Sequence, residues 1–169
     1  MLYSNTIPAK NNQIIPVFYD GRPMHSKYDP LREAENFVQN IKKSDFFVVA
    51  GIGAGYHIKK ISEKFPESVI LAVENSNLEL DFLRKNISEI KTIEKQKNIY
   101  FSTLTDFPEK LKNLYVPAVY DKINLVEYAR NDVYVIFRLD SNKITNLTGQ
   151  YHITNQDGEY ISSGKYTVS

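Results

Sequence analysis

The chain has 169 residues, of which 42% are hydrophobic and 24% charged, a composition typical of a globular domain rather than of a disordered or fibrous chain. It contains no cysteine, which excludes a disulfide framework, thiolate metal sites and a cysteine nucleophile. Its 21 basic and 20 acidic residues leave a net charge of +1, so nucleic acid has no compositional support as a partner. The apolar runs are too short to cross a bilayer, the start lacks a secretory pattern, and the three histidines stand far apart. We therefore expect a cytoplasmic location, no membrane partner and no metal centre.

The N-terminal part of the chain is irregular apart from one strand-like run, residues 13–19. Pro16 inside this run removes a donor from a strand ladder and favours an edge position. Residues 20–23 then form a turn signal around Gly21, after which a return strand is expected to begin at residue 24. These signals predict a small N-terminal hairpin.

Strand and helix patterns alternate in the central part of the chain. Asp29 and Pro30 indicate a helix start, because aspartate caps free amides and proline suits the first helical position. Continuous apolar runs predict strands covered on both faces, and apolar residues three and four apart predict helices. In chain order these patterns predict a helix at 29–43, a strand at 46–50, a helix at 56–65, a strand at 69–73, a helix at 78–87, a strand at 99–102 and a helix at 105–114.

Such alternation is typical of β-α-β units with right-handed crossovers. Residues 1–130 are therefore predicted to form an α/β, Rossmann-like domain of three layers around three to four parallel strands. Residues 131–169 differ, because period-two alternation over 133–139 is followed by short strand-like runs and an Asp-Gly turn at 157–158. We expect this extension to form a small antiparallel β meander, which suggests edge-to-edge pairing with a second copy.

Glycines follow the first buried strand directly, at Gly51, Gly53 and Gly55, and a helix pattern begins next. Glu74 ends the second strand, where nucleotide-binding folds place an acid that accepts hydrogen bonds from ribose hydroxyls. The spacing Gly-x-Gly-x-Gly is shorter than the dinucleotide pattern and similar to the first motif of S-adenosylmethionine-dependent methyltransferases. Alternatively, these glycines only make a tight turn that lets helix and strand pack closely, and Glu74 is a solvated strand end.

A second polar cluster precedes the first helix and contains Ser26, Tyr28 and Asp29. If this helix start lies near the glycine loop, these side chains border the same crevice. The alternative is a capped helix start with no role in binding.

The motif His-Ser-Lys-Tyr-Asp-Pro-x-x-Glu-Ala at 25–34, together with the loop at 51–57, resembles the amino-terminal region of the motility accessory factor proteins, which are bacterial flagellin glycosyltransferases. Tyr56, His57 and Glu74 fit the pattern of that family, and the resemblance covers about residues 10–130. It implies a cytoplasmic Rossmann-like domain attached to machinery that glycosylates flagellin. The larger domain to which that family's sugar transfer is attributed has no counterpart here, so whether the chain is an enzyme stays open.

The leading hypothesis is therefore an accessory or truncated domain of this type, with flagellin or a glycosyltransferase as partner. The first alternative is an S-adenosylmethionine-dependent methyltransferase, and the second is a non-catalytic protein-interaction module. In the leading hypothesis the loop binds a nucleotide or nucleotide-sugar ligand. The predicted ligand-binding residues are Gly51, Gly53, Gly55, Tyr56, His57 and Glu74, with Ser26, Tyr28 and Asp29 at the border.

Overall fold

The computed structural model describes residues 1–116 and, further along the chain, the backbone of strands 123–127, 134–139, 147–154 and 160–168. The chain begins with a hairpin of strands β1 (Tyr3–Pro8) and β2 (Ile14–Phe18). The partner of β2 is thus the strand before it, whereas the sequence predicted a strand after it. On that other side, a single bridge joins Val17 to Pro23. Two hydrogen bonds flank this bridge, from the Phe18 amide to the Arg22 carbonyl and from the Met24 amide to the Pro16 carbonyl. The predicted return after the turn is therefore present as a short pairing, while the longer pairing of β2 is with β1, which the sequence did not predict.

A four-stranded parallel sheet forms the centre of the fold. Its strands are β3 (Phe46–Ala50), β4 (Val69–Glu74), β5 (Ile99–Thr103) and β6 (Ile123–Glu127), in the order β5-β4-β3-β6. The pairing of β3 with β4 and of β4 with β5 is in parallel register, so the three strands end at one edge. The predicted α/β, Rossmann-like class is confirmed, with β6 as a fourth strand that the sequence patterns did not identify.

Five helices flank the described strands: α1 (Pro30–Gln39), α2 (Tyr56–Lys64), α3 (Asn77–Asn86), α4 (Ser88–Ile93) and α5 (Phe107–Leu114). Alternate strand residues point to opposite faces, as the pleat requires. Phe47 and Val49 belong to the core that includes α1 to α4, whereas Phe46 and Val48 pack with α5. The sheet is therefore the middle of three layers.

Asp29 precedes α1 and accepts a hydrogen bond from the Arg32 amide, and Pro30 occupies the first turn, as predicted. The helix ends at Gln39 rather than near residue 43. The C-terminal strands are β7 (Tyr134–Leu139), β8 (Leu147–Thr154) and β9 (Tyr160–Val168), which form an antiparallel sheet in that order. The predicted meander is confirmed, while its division into a domain at 131–169 stays a prediction. Among the described residues, no helix is both long and apolar enough to span a membrane.

Candidate functional site

The glycine loop runs from the end of β3 to the start of α2. Gly51, Gly53 and Gly55 have φ of +90°, +51° and +81°, values that residues with side chains rarely adopt. Two of these glycines also lie where a side chain has no room. A Cβ at Gly53 would lie 2.6 Å from Nε2 of His25, and a Cβ at Gly55 would lie 2.6 Å from Cδ1 of Ile93. Backbone conformation and internal packing therefore both require glycine in this loop.

Four of the five amides of the glycine loop donate hydrogen bonds within the chain. These bonds run from Gly51 to the Val73 carbonyl at 2.8 Å, from Ile52 to Oε2 of Glu74 at 3.2 Å, from Ala54 to Nε2 of His25 at 2.8 Å and from Gly55 to the Ile52 carbonyl at 2.9 Å. A loop before a helix binds phosphate through amides that have no other acceptor, so in this conformation these four amides are not free for a phosphate.

The Glu74 carboxylate lies against the glycine loop at the end of β4, and the side chain is only 4% exposed. Its Oε1 accepts a hydrogen bond from the Asn75 amide at 2.9 Å, in addition to the bonds from the loop. Burial raises the pKa of this carboxyl, while the amides of Asn75, Ile52 and Gly53 oppose the rise. The prediction that the glycine loop and Glu74 lie together is correct, but the Glu74 carboxylate accepts a hydrogen bond from the backbone of the loop.

The Tyr3 side chain covers Glu74 from strand β1. Its hydroxyl donates to Oε2 of Glu74 at 3.3 Å, and its ring stacks with those of Phe18 and Phe82 at centroid distances of 5.3 and 5.9 Å. Burial and the neighbouring carboxylate raise the pKa of Tyr3 well above its usual value. Tyr3 was not among the predicted site residues, because nothing in the local pattern of β1 indicates a contact with a strand more than seventy residues away.

His25 contacts the loop at Gly53 and Ala54 and is fully buried. Its Nε2 accepts the Ala54 amide, so in the neutral ring Nδ1 carries the proton. Oε2 of Glu33 lies 3.8 Å from Nδ1 and also accepts the Ser26 amide at 2.8 Å. His25 and Glu33 were outside the predicted site, although both belong to the motif at 25–34 that supported the family resemblance.

Tyr56 and His57 directly follow the glycine loop as the first two residues of α2, and both are buried. Nε2 of His57 lies 2.9 Å from the Gly51 carbonyl and donates to it, since a carbonyl only accepts. Burial lowers the pKa of His57 to about 3, so this imidazole is neutral at physiological pH. The Tyr56 hydroxyl donates to the Ile14 carbonyl at 2.8 Å and so ties α2 to the N-terminal hairpin.

The other three predicted residues form the turn before α1. The Ser26 hydroxyl accepts hydrogen bonds from the Tyr28 and Asp29 amides, and Asp29 caps the helix. The Tyr28 side chain is 66% exposed, with the Lys10 ammonium 4.4 Å above its ring centre. These contacts match the alternative of a capped helix start, and a ligand-binding role for these three residues stays a prediction.

The accessible part of the site lies at the ends of β4 and β5. Asn75 is exposed beside Glu74, Leu78 in the first turn of α3 is 65% exposed, and Leu104 after β5 is 37% exposed. The Leu104 amide donates to the Glu74 carbonyl at 3.1 Å, which holds it at the same edge as the carboxylate. This edge thus combines a carboxylate with two exposed apolar side chains. No cluster of metal-ligating side chains occurs within the described part of the chain.

The chain resembles a few known proteins, although no family model matches it. Fifty of its residues are 38% identical to an uncharacterized protein from Treponema pallidum (strain Nichols), a match that covers 30% of this chain and 57% of that protein. The matched part therefore spans little more than half the length of that relative.

Three solved structures are similar in arrangement. Spermidine synthase from Thermotoga maritima has a TM-score of 0.48 at 12% identity, with 99% of this chain and 73% of that chain covered. Protein-L-isoaspartate O-methyltransferase has a TM-score of 0.40 at 14% identity, with 83% of this chain and 47% of that chain covered. An amino pentose methyltransferase from Micromonospora echinaspora, solved with S-adenosylmethionine bound, has a TM-score of 0.29 at 12% identity, with 89% of this chain and 78% of that chain covered. With TM-scores below 0.5, these likenesses say nothing about function, and the fold rests on the strand pairings themselves.

Proposed function

We propose that the carboxyl edge of the parallel sheet binds an adenosyl ligand, of which S-adenosylmethionine is the compound to test first. The observation that carries the proposal is the position of Glu74, at the end of β4 and against the glycine loop. Open α/β sheets bind ligands outside the carboxyl ends of their strands, and an acid at this position accepts ribose hydroxyls.

A ribose reaches Glu74 by taking the place of the Tyr3 hydroxyl. At 3.3 Å, the bond from Tyr3 is longer than the bonds from Ile52 at 3.2 Å and Asn75 at 2.9 Å. It is also the one bond of these three that comes from a side chain rather than from the backbone. Exchange of one hydroxyl for another leaves the carboxylate satisfied and the loop intact.

The base of an adenosyl ligand then lies along the exposed apolar side chains of this edge. Leu78 and Leu104 expose 65% and 37% of their surface, and burial of that surface against a planar base stabilises the complex. Asn75 lies beside them and presents amide groups that both donate and accept hydrogen bonds.

The internal bonds of the glycine loop favour this ligand over a nucleotide sugar. A phosphate at a loop of this kind depends on free amides, and the amides of Gly51, Ile52, Ala54 and Gly55 already have acceptors. A ligand held through its ribose hydroxyls and its base does not depend on those amides.

The direct test is calorimetric and thermal-shift titration of the purified chain with S-adenosylmethionine, and separately with a CMP-sugar. We expect S-adenosylmethionine to stabilise the fold by about 2.7 kcal/mol at a hundredfold excess over its Kd. Leu78→Asp, an exposed substitution that leaves the core unchanged, should weaken binding about tenfold, whereas Asp81→Asn on the same helix should not. No shift with S-adenosylmethionine, or a shift with the CMP-sugar alone, would contradict the proposal. Transfer of a labelled methyl group to an acceptor is the further test for a methyltransferase.

A second candidate function is the accessory, non-catalytic domain of the flagellin-glycosyltransferase type. One observation favours it: the two motifs that carry that resemblance contact each other, through the bond from the Ala54 amide to His25. Flagellin or a glycosyltransferase would then be the partner. Sedimentation of the purified chain with purified flagellin tests this role, and sedimentation of the chain alone tests self-association through β7, β8 and β9.

A further inference from the structure

We infer that His25, oriented by Glu33, is the positioning residue of the glycine loop and the group that excludes anions from its Ala54 amide. This inference goes beyond the proposed function, because it concerns the contacts of His25 with Gly53 and Ala54 rather than the exposed residues beside Glu74. It is independent of which ligand, if any, the edge binds.

The first step in the argument is the fit between His25 and Gly53. Nε2 of the imidazole lies 2.8 Å from the Ala54 nitrogen, and a Cβ at Gly53 would approach the same Nε2 to 2.6 Å. The imidazole thus occupies the surface that this glycine leaves open. In a phosphate-binding loop, that surface and the adjacent amide would receive an oxygen of the ligand.

The second step is the way Glu33 holds the imidazole. The Glu33 carboxylate of α1 accepts the Ser26 amide at 2.8 Å, and this bond holds the carboxylate 3.8 Å from Nδ1 of His25. A carboxylate beside Nδ1 favours the tautomer with the proton on that nitrogen. That tautomer leaves Nε2 as the acceptor which the Ala54 amide needs.

The third step is the contrast with His57 on the same loop. The two imidazole centroids lie 6.1 Å apart, but Nε2 of His57 donates to the Gly51 carbonyl whereas Nε2 of His25 accepts from the Ala54 amide. The two buried rings therefore carry their protons on opposite nitrogens. If His25 served only to fill space, this difference in tautomer between the two rings would not be required.

The first experiment reads that signature by long-range proton–nitrogen NMR correlation of the imidazoles in the full chain at neutral pH. We expect the Nδ1–H tautomer for His25 and the Nε2–H tautomer for His57. An Nε2–H tautomer or a doubly protonated ring at His25 would overturn the inference, and this measurement needs no substitution.

The second experiment is chemical rescue of His25→Ala. Loss of the acceptor for the buried Ala54 amide should lower Tm by roughly 3–10 °C, and millimolar imidazole should recover part of the loss. His25→Gln is the matched control, because its side-chain oxygen reaches the position of Nε2; it should retain most of the Tm and show no response to imidazole. A folded His25→Ala variant that ignores imidazole, or wild-type protein whose Ala54 amide resonance shifts on titration with inorganic phosphate, would overturn the inference.

Discussion

The two sides of the glycine loop are closed by different chemistry. At the His25 side a neutral imidazole accepts the Ala54 amide, and at the Glu74 side a carboxylate accepts the Ile52 amide. Both acceptors are buried. Burial of a neutral acceptor costs less than burial of a carboxylate and is offset by one hydrogen bond, whereas a carboxylate needs several donors to offset the loss of water. This explains why Glu74 has several hydrogen-bond donors.

The two sides also differ in access. Gly53, Tyr56 and His57 surround His25. Glu74 instead accepts a hydrogen bond from the amide of Asn75, whose side chain is exposed. A ligand at the Glu74 carboxylate would replace the buried Tyr3 hydroxyl and leave His25 in place. The comparison teaches that both acceptors are internal to the fold, and that Glu74 is followed in the chain by an exposed residue, Asn75.

The largest effect is expected for a change that breaks the loop itself. Gly55→Ala places a Cβ 2.6 Å from Ile93 and forces a residue with a side chain into φ +81°. Strain and overpacking together should cost about 2–5 kcal/mol of unfolding free energy in denaturant titration. Gly21→Ala is the control, because Gly21 has nearly the same φ, +82°, but no atom within 4 Å of the added Cβ; it should cost only about 1–2 kcal/mol. Equal losses for both variants would mean that packing against Ile93 contributes nothing.

Acidification is expected to have a smaller effect on stability, through protonation of His57, whose neutral ring donates to the Gly51 carbonyl. The pKa of His57 is lowered to about 3 in the folded chain, below its ordinary value of 6.5, so the unfolded chain binds the proton more readily. Stability from this group is complete above pH 6.5 and falls by about 1.4 kcal/mol per pH unit below it, or roughly 3 kcal/mol by pH 4.5.

His57→Gln isolates this contribution, since glutamine retains a donor for the Gly51 carbonyl but does not titrate. Glu74 acts in the opposite direction, because a raised carboxyl pKa makes the folded chain bind protons more readily as the pH falls. The informative quantity is therefore the difference in pH dependence between wild type and His57→Gln. Parallel curves for the two proteins from pH 7 to pH 4.5 would refute the assignment.

The smallest effect on stability, and the sharpest test of the Glu74 side, is Tyr3→Phe. The change keeps the ring stacking on Phe18 and Phe82 and removes only the hydroxyl that donates to Glu74, so it should cost about 1 kcal/mol. If that hydroxyl competes with a ribose, the variant should bind S-adenosylmethionine more tightly than wild type in calorimetry. Unchanged or weaker binding would mean that the ligand does not replace Tyr3.

Elements with a strong local signal were predicted well. The strands beginning at Phe46, Val69 and Ile99 lie where the apolar runs indicated, because buried parallel strands need apolar residues on both faces. Strand β1 and strand β6 were missed. The sequence Tyr3–Pro8 contains serine, asparagine and threonine, and half of its positions face outward, so only its pairing with β2 makes it a strand.

The site shows the same division between local and distant information. The positions of the glycines and of Glu74 followed from the strand and helix patterns, and they do meet at one edge. The roles of His25 and Tyr3 did not follow, because each acts through a residue far along the chain, at Ala54 and Glu74 respectively. Ser26, Tyr28 and Asp29 were predicted as binding groups from their polar chemistry; their local hydrogen bonds form a helix start, and a role in binding stays a prediction.

The sequence by itself determined the α/β class, the succession along the chain of β3, β4 and β5 with the helices that connect them, and the need for glycine between β3 and α2. These are properties of short segments, set by apolar periodicity, helix capping and backbone conformation. Only the tertiary structure decided which groups accept the amides of that loop. Hydrogen bonds between residues 25 and 54, or between residues 52 and 74, exist once the helices have packed on the sheet, and no local pattern encodes such distant partners.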